Sequence, residues 1–284
     1  MTISPPLPVR ARTPQLIATD LDGTFLSPDG TVSAENAAAV LAAQEAGIPV
    51  VIATGRPVRW LGVIKDLPGA HPTVIASNGA VLYDLGTGQV LDRICLRPDV
   101  AMAAVHRLRV EIPGVSFAFE SGTRFGYEPT YRTWAPDDGT NPELFSAPAE
   151  ELAYTGDHVK MLIQSHGDRA DDLLATVRGV VGDTLTATHS AAGDHGLVEV
   201  SAAGVSKASM LQRTCARLGV DARNVAAFGD MPNDVDMLAW VGMPYVVDNG
   251  HPALHAMDFG RAPGNDQSGV GRTIMSWLER EPGR

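Results

Sequence analysis

Cysteine is nearly absent from this chain: Cys95 and Cys215 are the only two in 284 residues, far apart and at no metal-ligand spacing. That excludes a disulfide-stapled secreted domain and a cysteine-held zinc site, and it leaves two free, buried thiols in a reducing compartment as the expectation. Positive charge is scarce as well. Against 33 Asp and Glu stand 22 Lys and Arg, a net charge of −11 at pH 7. With no basic run to grip a phosphate backbone, nucleic acid is excluded as a partner. A small anion is still admissible, because it needs only a local cationic pocket or a metal. No apolar run approaches the roughly 20 residues that span a bilayer. Residues Met1 to Thr13 carry three prolines and late arginines without an apolar stretch, which does not read as a secretion signal. The expectation is a soluble cytoplasmic protein with no membrane association and no obligate protein partner.

What is present is a series of short apolar runs, several of which end in acid or hydroxyl groups. Leu16-Ile17-Ala18-Thr19 is followed at once by Asp20-Leu21-Asp22-Gly23-Thr24. Along an extended backbone alternate residues share a side, so Asp20 and Asp22 are expected to project together while Leu21 turns back to the core. Two close carboxylates repel, and the pair persists only where a cation or shared proton relieves it, which points to metal-assisted chemistry. Gly23 permits a sharp turn, and Thr24 offers a hydroxyl to fix a carboxylate rotamer. The competing reading is an ordinary Asp-Gly turn.

Three later segments bear on that choice. Val50-Val51-Ile52-Ala53-Thr54-Gly55-Arg56 is a second buried-strand pattern, with a helix predicted after Pro57. Gly204-Val205-Ser206-Lys207 leads into an amphipathic run, Ala208 to Leu218, that stops at Gly219. Lys207 there sits in a helix first turn, where a cation is unfavourable unless an anion is near. Val225-Ala226-Ala227-Phe228-Gly229-Asp230-Met231-Pro232-Asn233-Asp234 is a third strand ending in acid, with Pro232 suited to a helix start.

Together these segments resemble the haloacid dehalogenase superfamily, whose motifs are Asp-x-Asp-x-Thr after a strand, a strand-terminal Ser or Thr, a helix-start Lys, and Gly-Asp-x-x-Asn-Asp. An insert between the second and third motifs makes the chain similar to the Cof-like, subfamily IIB phosphatases. The resemblance implies Mg²⁺ held by Asp20, the Asp22 backbone carbonyl and Asp230. It implies Asp20 as nucleophile and Asp22 as general acid and base, with Thr54, Gly55, Lys207 and Asn233 on the phosphate. Asp234 would position Lys207 or a metal-bound water, with Arg56 and Asn78 in support. Asn78, in Ser77-Asn78-Gly79, is read either as a contact to substrate or insert or as part of a routine turn. Two departures are Ala208, in place of a glycine, and Asp248, an extra acid expected near the metal site.

The implied fold is α/β: a Rossmann-like, doubly wound parallel sheet core, residues 1–96 and 195–284, with an inserted α/β cap of the C2 type, residues 97–194. Ser33 to Ala46 is predicted as a helix, Val74–Ala76 as the third parallel strand and Leu197–Val200 as the strand that resumes the core. The implied activity is hydrolysis of small phosphorylated metabolites, sugar phosphates first, through an aspartyl-phosphate. A sugar phosphomutase, with Arg124, Arg132, Lys160 or Arg169 on a second phosphate, and a non-catalytic phosphate sensor are the rival readings. Arg124, Tyr131, Arg132, Trp134 and His189 are the candidates for substrate selection.

Overall fold

In the computed structural model of the protein, residues 13–71, 73–133, 144–189 and 196–279 are described; Trp134 lies outside them. The first segment holds β1 (Leu16–Thr19), α1 (Ala34–Glu45), β2 (Val50–Ile52), β3 (Thr73–Ala76), β4 (Val81–Asp84) and β5 (Gln89–Arg93). The insert holds α2 (Pro98–Glu111), β6 (Ser116–Glu120), β7 (Phe125–Tyr127), β8 (Leu144–Ser146), α3 (Ala149–Leu152), β9 (Lys160–Ser165), α4 (Ala170–Val181), β10 (Leu185–Thr188) and β11 (Gly196–Ala202). The last segment holds α5 (Lys207–Leu218), β12 (Val225–Gly229), α6 (Val235–Trp240), β13 (Met243–Val247), α7 (Pro252–His255), β14 (Gly260–Ala262) and α8 (Gly269–Leu278).

The runs without polar alternation, β1, β2 and β12, are buried at every position. Such runs suit a parallel sheet covered on both faces. They form the middle and one side of a five-stranded sheet ordered β14-β13-β12-β1-β2, all pairs parallel. Alternation along the strands then sorts the two faces. Ile17, Ile52 and Phe228 pack with Ala39, Val40, Val270 and Ile274 of α1 and α8, while Leu16, Ala18, Val51 and Ala227 pack with Met210, Leu211, Met237 and Leu238 of α5 and α6. The core is therefore doubly wound, as the motifs implied. The predicted helix is present as α1, and Ser33 caps it, its hydroxyl accepting from Asn36 N at 3.1 Å. Among the described residues no helix is long and apolar enough to cross a membrane.

Three expectations are corrected. Strand β3 does lie parallel beside the end of β2, through the bridge Ala53 to Ile75, but its continuous ladder is antiparallel with β4 in the three-stranded sheet β3-β4-β5. The segment after Pro57 is a 3-10 run, Val58–Ile64, and not an α-helix. Leu197–Val200 belongs to β11, which pairs antiparallel with β9 and β10 in the insert's sheet, so the chain leaves that sheet only after Ala202. Glu199 and Ser201 alternating with Val198 and Val200 are the mark of a sheet with one face packed and the other turned to polar groups.

The insert's sheet runs β10-β11-β9-β6-β7-β8, and β6 and β7 form a hairpin around Gly122. Phe117, Phe119, Met161, Ile163, Val198 and Val200 of one face pack with α2 and α4. Strand alternation turns Glu120, Lys160 and Glu199 to the other face, where they meet the core.

Candidate active site

The strand ladder of β1 ends at Thr19, and Asp20 is held at its tip by a bond from Asp20 N to Phe228 O, 3.1 Å, on β12. Residues Leu21–Phe25 then form a wide helical turn broken at Asp22 (φ −73°, ψ 124°) and at Gly23 (φ 76°). A side chain at Gly23 is doubly excluded. The φ is left-handed, and a Cβ there would lie 2.3 Å from Asp230 Oδ2.

The extended ladder stops at Asp20, and the two carboxylates of the first motif take different partners. Asp20 is buried, and its Oδ1 receives Lys207 Nζ at 2.7 Å. Asp22 is half-exposed and grips Arg56 through two bonds, Nε to Oδ2 at 2.7 Å and a terminal nitrogen to Oδ1 at 2.6 Å. That pairing fixes the role of Arg56, which holds both Asp22 oxygens in one plane. Asp22 still lies close enough for its charge to act on Asp230.

Lys207 opens α5. The helix starts there because Ser206 and Ser209 form a reciprocal cap. The lysine is fully buried and bonds Asp234 Oδ1 at 2.7 Å as well as Asp20. Asp234 uses its other oxygen on the amides of Asp230 and Met231, each at 3.0 Å, so it acts as the holder of Lys207 and of the turn after β12. Asp230 Oδ1 accepts Thr24 Oγ1 at 2.7 Å, the carboxylate contact expected of that hydroxyl. Oδ2 of Asp20 and of Asp230 receive no hydrogen bond from the described residues.

Electrostatics follow from this burial. Burial drives the Asp20 carboxyl well above the usual carboxylate range; Lys207 opposes the rise, and Asp234 and Asp230 reinforce it. Burial with Asp234 nearby likewise pushes Asp230 up to about 7, against the Thr24 hydrogen bond. Burial alone would lower Lys207, but Asp20 and Asp234 outweigh it and hold the ammonium above its ordinary value. Acids that resist ionising beside a locked cation make a site that gains from a further positive charge. The carboxylates of Asp20, Asp230 and Asp234 lie within 4.8 Å of one another. Since Asp234 is saturated, the hard oxygens left for a cation are those of Asp20 and Asp230.

Thr54 is buried at the end of β2; its Oγ1 accepts Arg56 N at 3.0 Å, and its amide is taken by Ile75 O at 2.8 Å. The Gly55 carbonyl accepts Lys160 Nζ at 2.9 Å. Asn233, at the start of α6, bonds Asn78 at 3.0 Å, and Asn78 bonds Glu199 at 2.7 Å, so Asn78 joins insert and core. Asp248 is exposed and stands outside the acid cluster.

Sequence reasoning missed Glu199, Arg59 and Glu120. Arg59 of the core pairs with Glu120 of β6 and lies over the Phe125 ring, 5.3 Å from its centroid. Among the expected selectors, Arg124 and Arg132 are exposed and Tyr131 is buried in an apolar cluster. His189 bonds Asp171 at 2.9 Å. The thiols are free, but only Cys215 is buried; Cys95 is partly exposed.

Buried acids, a locked lysine and strand-end hydroxyls at the C-terminal edge of parallel strands define an enzyme site of the doubly wound α/β class, placed where such sheets bind ligands. A family model of haloacid dehalogenase-like hydrolases matches residues 17–274. Over most of its length the chain is similar to the HMP-PP phosphatase of Serratia proteamaculans, 28% identical over 86% of this chain and 87% of that protein. It is also similar to the 5-amino-6-(5-phospho-D-ribitylamino)uracil phosphatase YcsE of Bacillus subtilis, 25% identical over 93% and 96%. The fold matches that of the subclass IIB sugar phosphatase BT4131 with a TM-score of 0.76 at 17% identity, over 93% and 99% of the two chains. The chain belongs to the haloacid dehalogenase-like hydrolase family, among its phosphoric monoester hydrolases.

Proposed function

We propose that this hydrolase is a Mg²⁺-dependent phosphatase of small phosphorylated metabolites, sugar phosphates first, acting in the cytoplasm through an aspartyl-phosphate on Asp20. The observation that carries the reading is the clamp on Asp20: Lys207 holds Oδ1 at 2.7 Å, which fixes the orientation of the carboxylate toward the site. Asp20 and Asp230, with the Asp22 backbone carbonyl, would hold the ion, and all are oxygen donors of the kind Mg²⁺ takes. When bound, the ion supplies charge that draws Asp20 and the substrate phosphate together against their repulsion.

One oxygen of Asp20 attacks phosphorus while the other faces the ion's place, and the bond to the leaving oxygen breaks, with the Asp22 carboxyl delivering a proton to that oxygen. Water then attacks the phosphoryl group, its proton passes to Asp22, and the bond to Asp20 breaks to release phosphate. When Asp22 carries the proton, one of its two bonds from Arg56 gives way and the other keeps the carboxyl in place. Lys207, the Thr54 hydroxyl, the Gly55 amide and the Asn233 amide stabilise the phosphoryl oxygens.

Size selection comes from the insert, which Lys160 and Glu120 fasten over the strand ends; that favours small substrates, as the names of the relatives also do. A mutase would need a free cation for a second phosphate. Lys160 is already paired with Glu199 at 2.5 Å, which removes it from that role. The test is phosphate release from a panel of metabolite phosphates and an aryl phosphate in Mg²⁺, and no turnover of any member would sink the reading. Within that panel Asp22→Asn should lose about 10²–10⁴-fold on alkyl phosphates and markedly less on the aryl ester, whose leaving group needs no proton. Equal losses on both would remove the acid role.

A further inference from the structure

We infer that Glu199 is a positioning residue of the phosphate site, setting the orientation of the Asn233 amide through Asn78. The inference rests on the reading of Asn233 as a phosphate ligand. Glu199 stands on β11 of the insert and is almost wholly buried, as are its partners Lys160, Asn78 and Asn233. One carboxylate oxygen takes Lys160 Nζ at 2.5 Å and the other takes Asn78 Nδ2 at 2.7 Å. Asn78 Oδ1 in turn accepts Asn233 Nδ2 at 3.0 Å.

The polarity of this chain has one solution. A carboxylate paired with a lysine is acceptor-only, so Asn78 must present its NH₂ to Glu199 and its oxygen to Asn233. Asn233 must then present NH₂ to Asn78, because its own oxygen there would face another oxygen. An NH₂ group has two hydrogens, and the second is left for a phosphoryl oxygen. The acid in the insert thereby fixes, two residues away, which end of Asn233 serves the substrate.

Backbone conformation supports the assignment. Ser77 and Asn78 both have left-handed φ, 51° and 56°, a costly conformation for side chains other than glycine that persists where the surroundings enforce it. Here it places Asn78 between insert and core. Stability alone does not account for the Lys160–Glu199 pair, since a buried ion pair is on average no more stabilising than apolar packing of the same volume. Lys160 also reaches the Gly55 carbonyl at 2.9 Å, so the same pair steadies the second phosphate-binding loop.

The experiment compares Glu199→Gln, Asn233→Ala and the double variant, in the Mg²⁺-loaded full chain, by the inhibition constant of inorganic phosphate and by KM and kcat on an aryl phosphate. Glutamine keeps the shape but can donate, so it no longer dictates amide polarity. Expected are rises of about tenfold in the phosphate constant and in KM for each single variant, from loss of a hydrogen bond to a charged group, and no more than about twofold further in the double. The side-chain NH₂ signals of Asn78 and Asn233 in ¹⁵N NMR should shift in Glu199→Gln, which a purely structural role would not produce without a fall in Tm. If Asn233→Ala weakens phosphate and Glu199→Gln does not, or if the two effects add, the inference is overturned. If Asn233→Ala leaves phosphate binding unchanged, the ligand role of Asn233 fails and the inference fails with it. Should Glu199→Gln not fold, Asn78→Ala, which leaves the Lys160–Glu199 pair intact, is held to the same outcomes.

Discussion

Asp20→Asn should abolish turnover, with kcat down by at least about 10⁴-fold on alkyl and aryl phosphates alike. The amide keeps the volume and the contact with Lys207 but is a poor nucleophile, and an acyl phosphate cannot form on it. The fold should survive, because Asp20 contributes little to packing and its burial as a carboxylate is itself unfavourable. Lys207 keeps Asp234 at 2.7 Å in the variant, so its charge is not left unpaired. Near-UV circular dichroism and Tm should stay close to those of the parent while phosphate release disappears. Activity above about one per cent of the parent in a preparation free of deamidated protein would remove the covalent mechanism.

Such a variant could be chosen from the sequence because the candidate acids sit where apolar runs stop. Asp20 after Leu16–Thr19 and Asp230 after Val225–Gly229 mark the C-terminal ends of adjacent parallel strands, and adjacency brings them together. Lys207 and Asp234 were legible for a related reason: each stands at a helix start beside a recognisable cap or proline. The partner of Asp22 was not derivable, because strand alternation fails one residue after Thr19, where the chain breaks into a turn that only the folded geometry reveals. Glu199 was less legible still. Its contact with Asn78 spans 121 residues, and no local pattern states which polar group an inward-facing acid will meet. Strand β3 was only partly placed, because three apolar residues specify a buried strand without specifying all its neighbours.

Metal removal is the other change with a large expected effect: a chelator should abolish turnover, and Mg²⁺ should restore it. The pH dependence of metal binding gives an independent check. In the metal-free protein Asp230 is raised from 3.8 to about 7, chiefly by burial, and Asp20 is raised as well. The folded state therefore binds more protons than the unfolded state, so the contribution of Asp230 to stability falls as pH rises from about 4 to about 7, and Asp20 acts in the same direction. A bound cation displaces the protons and offsets the loss. Below pH 7 each proton displaced should weaken metal binding by roughly tenfold per pH unit. The rise in Tm that Mg²⁺ produces over chelator should accordingly be small at pH 5.5 and large at pH 8. Comparing with and without the ion at each pH cancels the titration of groups elsewhere in the chain. In Asp230→Asn the difference should shrink at both pH values, because the second free carboxylate oxygen is gone. A Tm rise independent of pH, or one retained in full by Asp230→Asn, would place the cation outside this cluster.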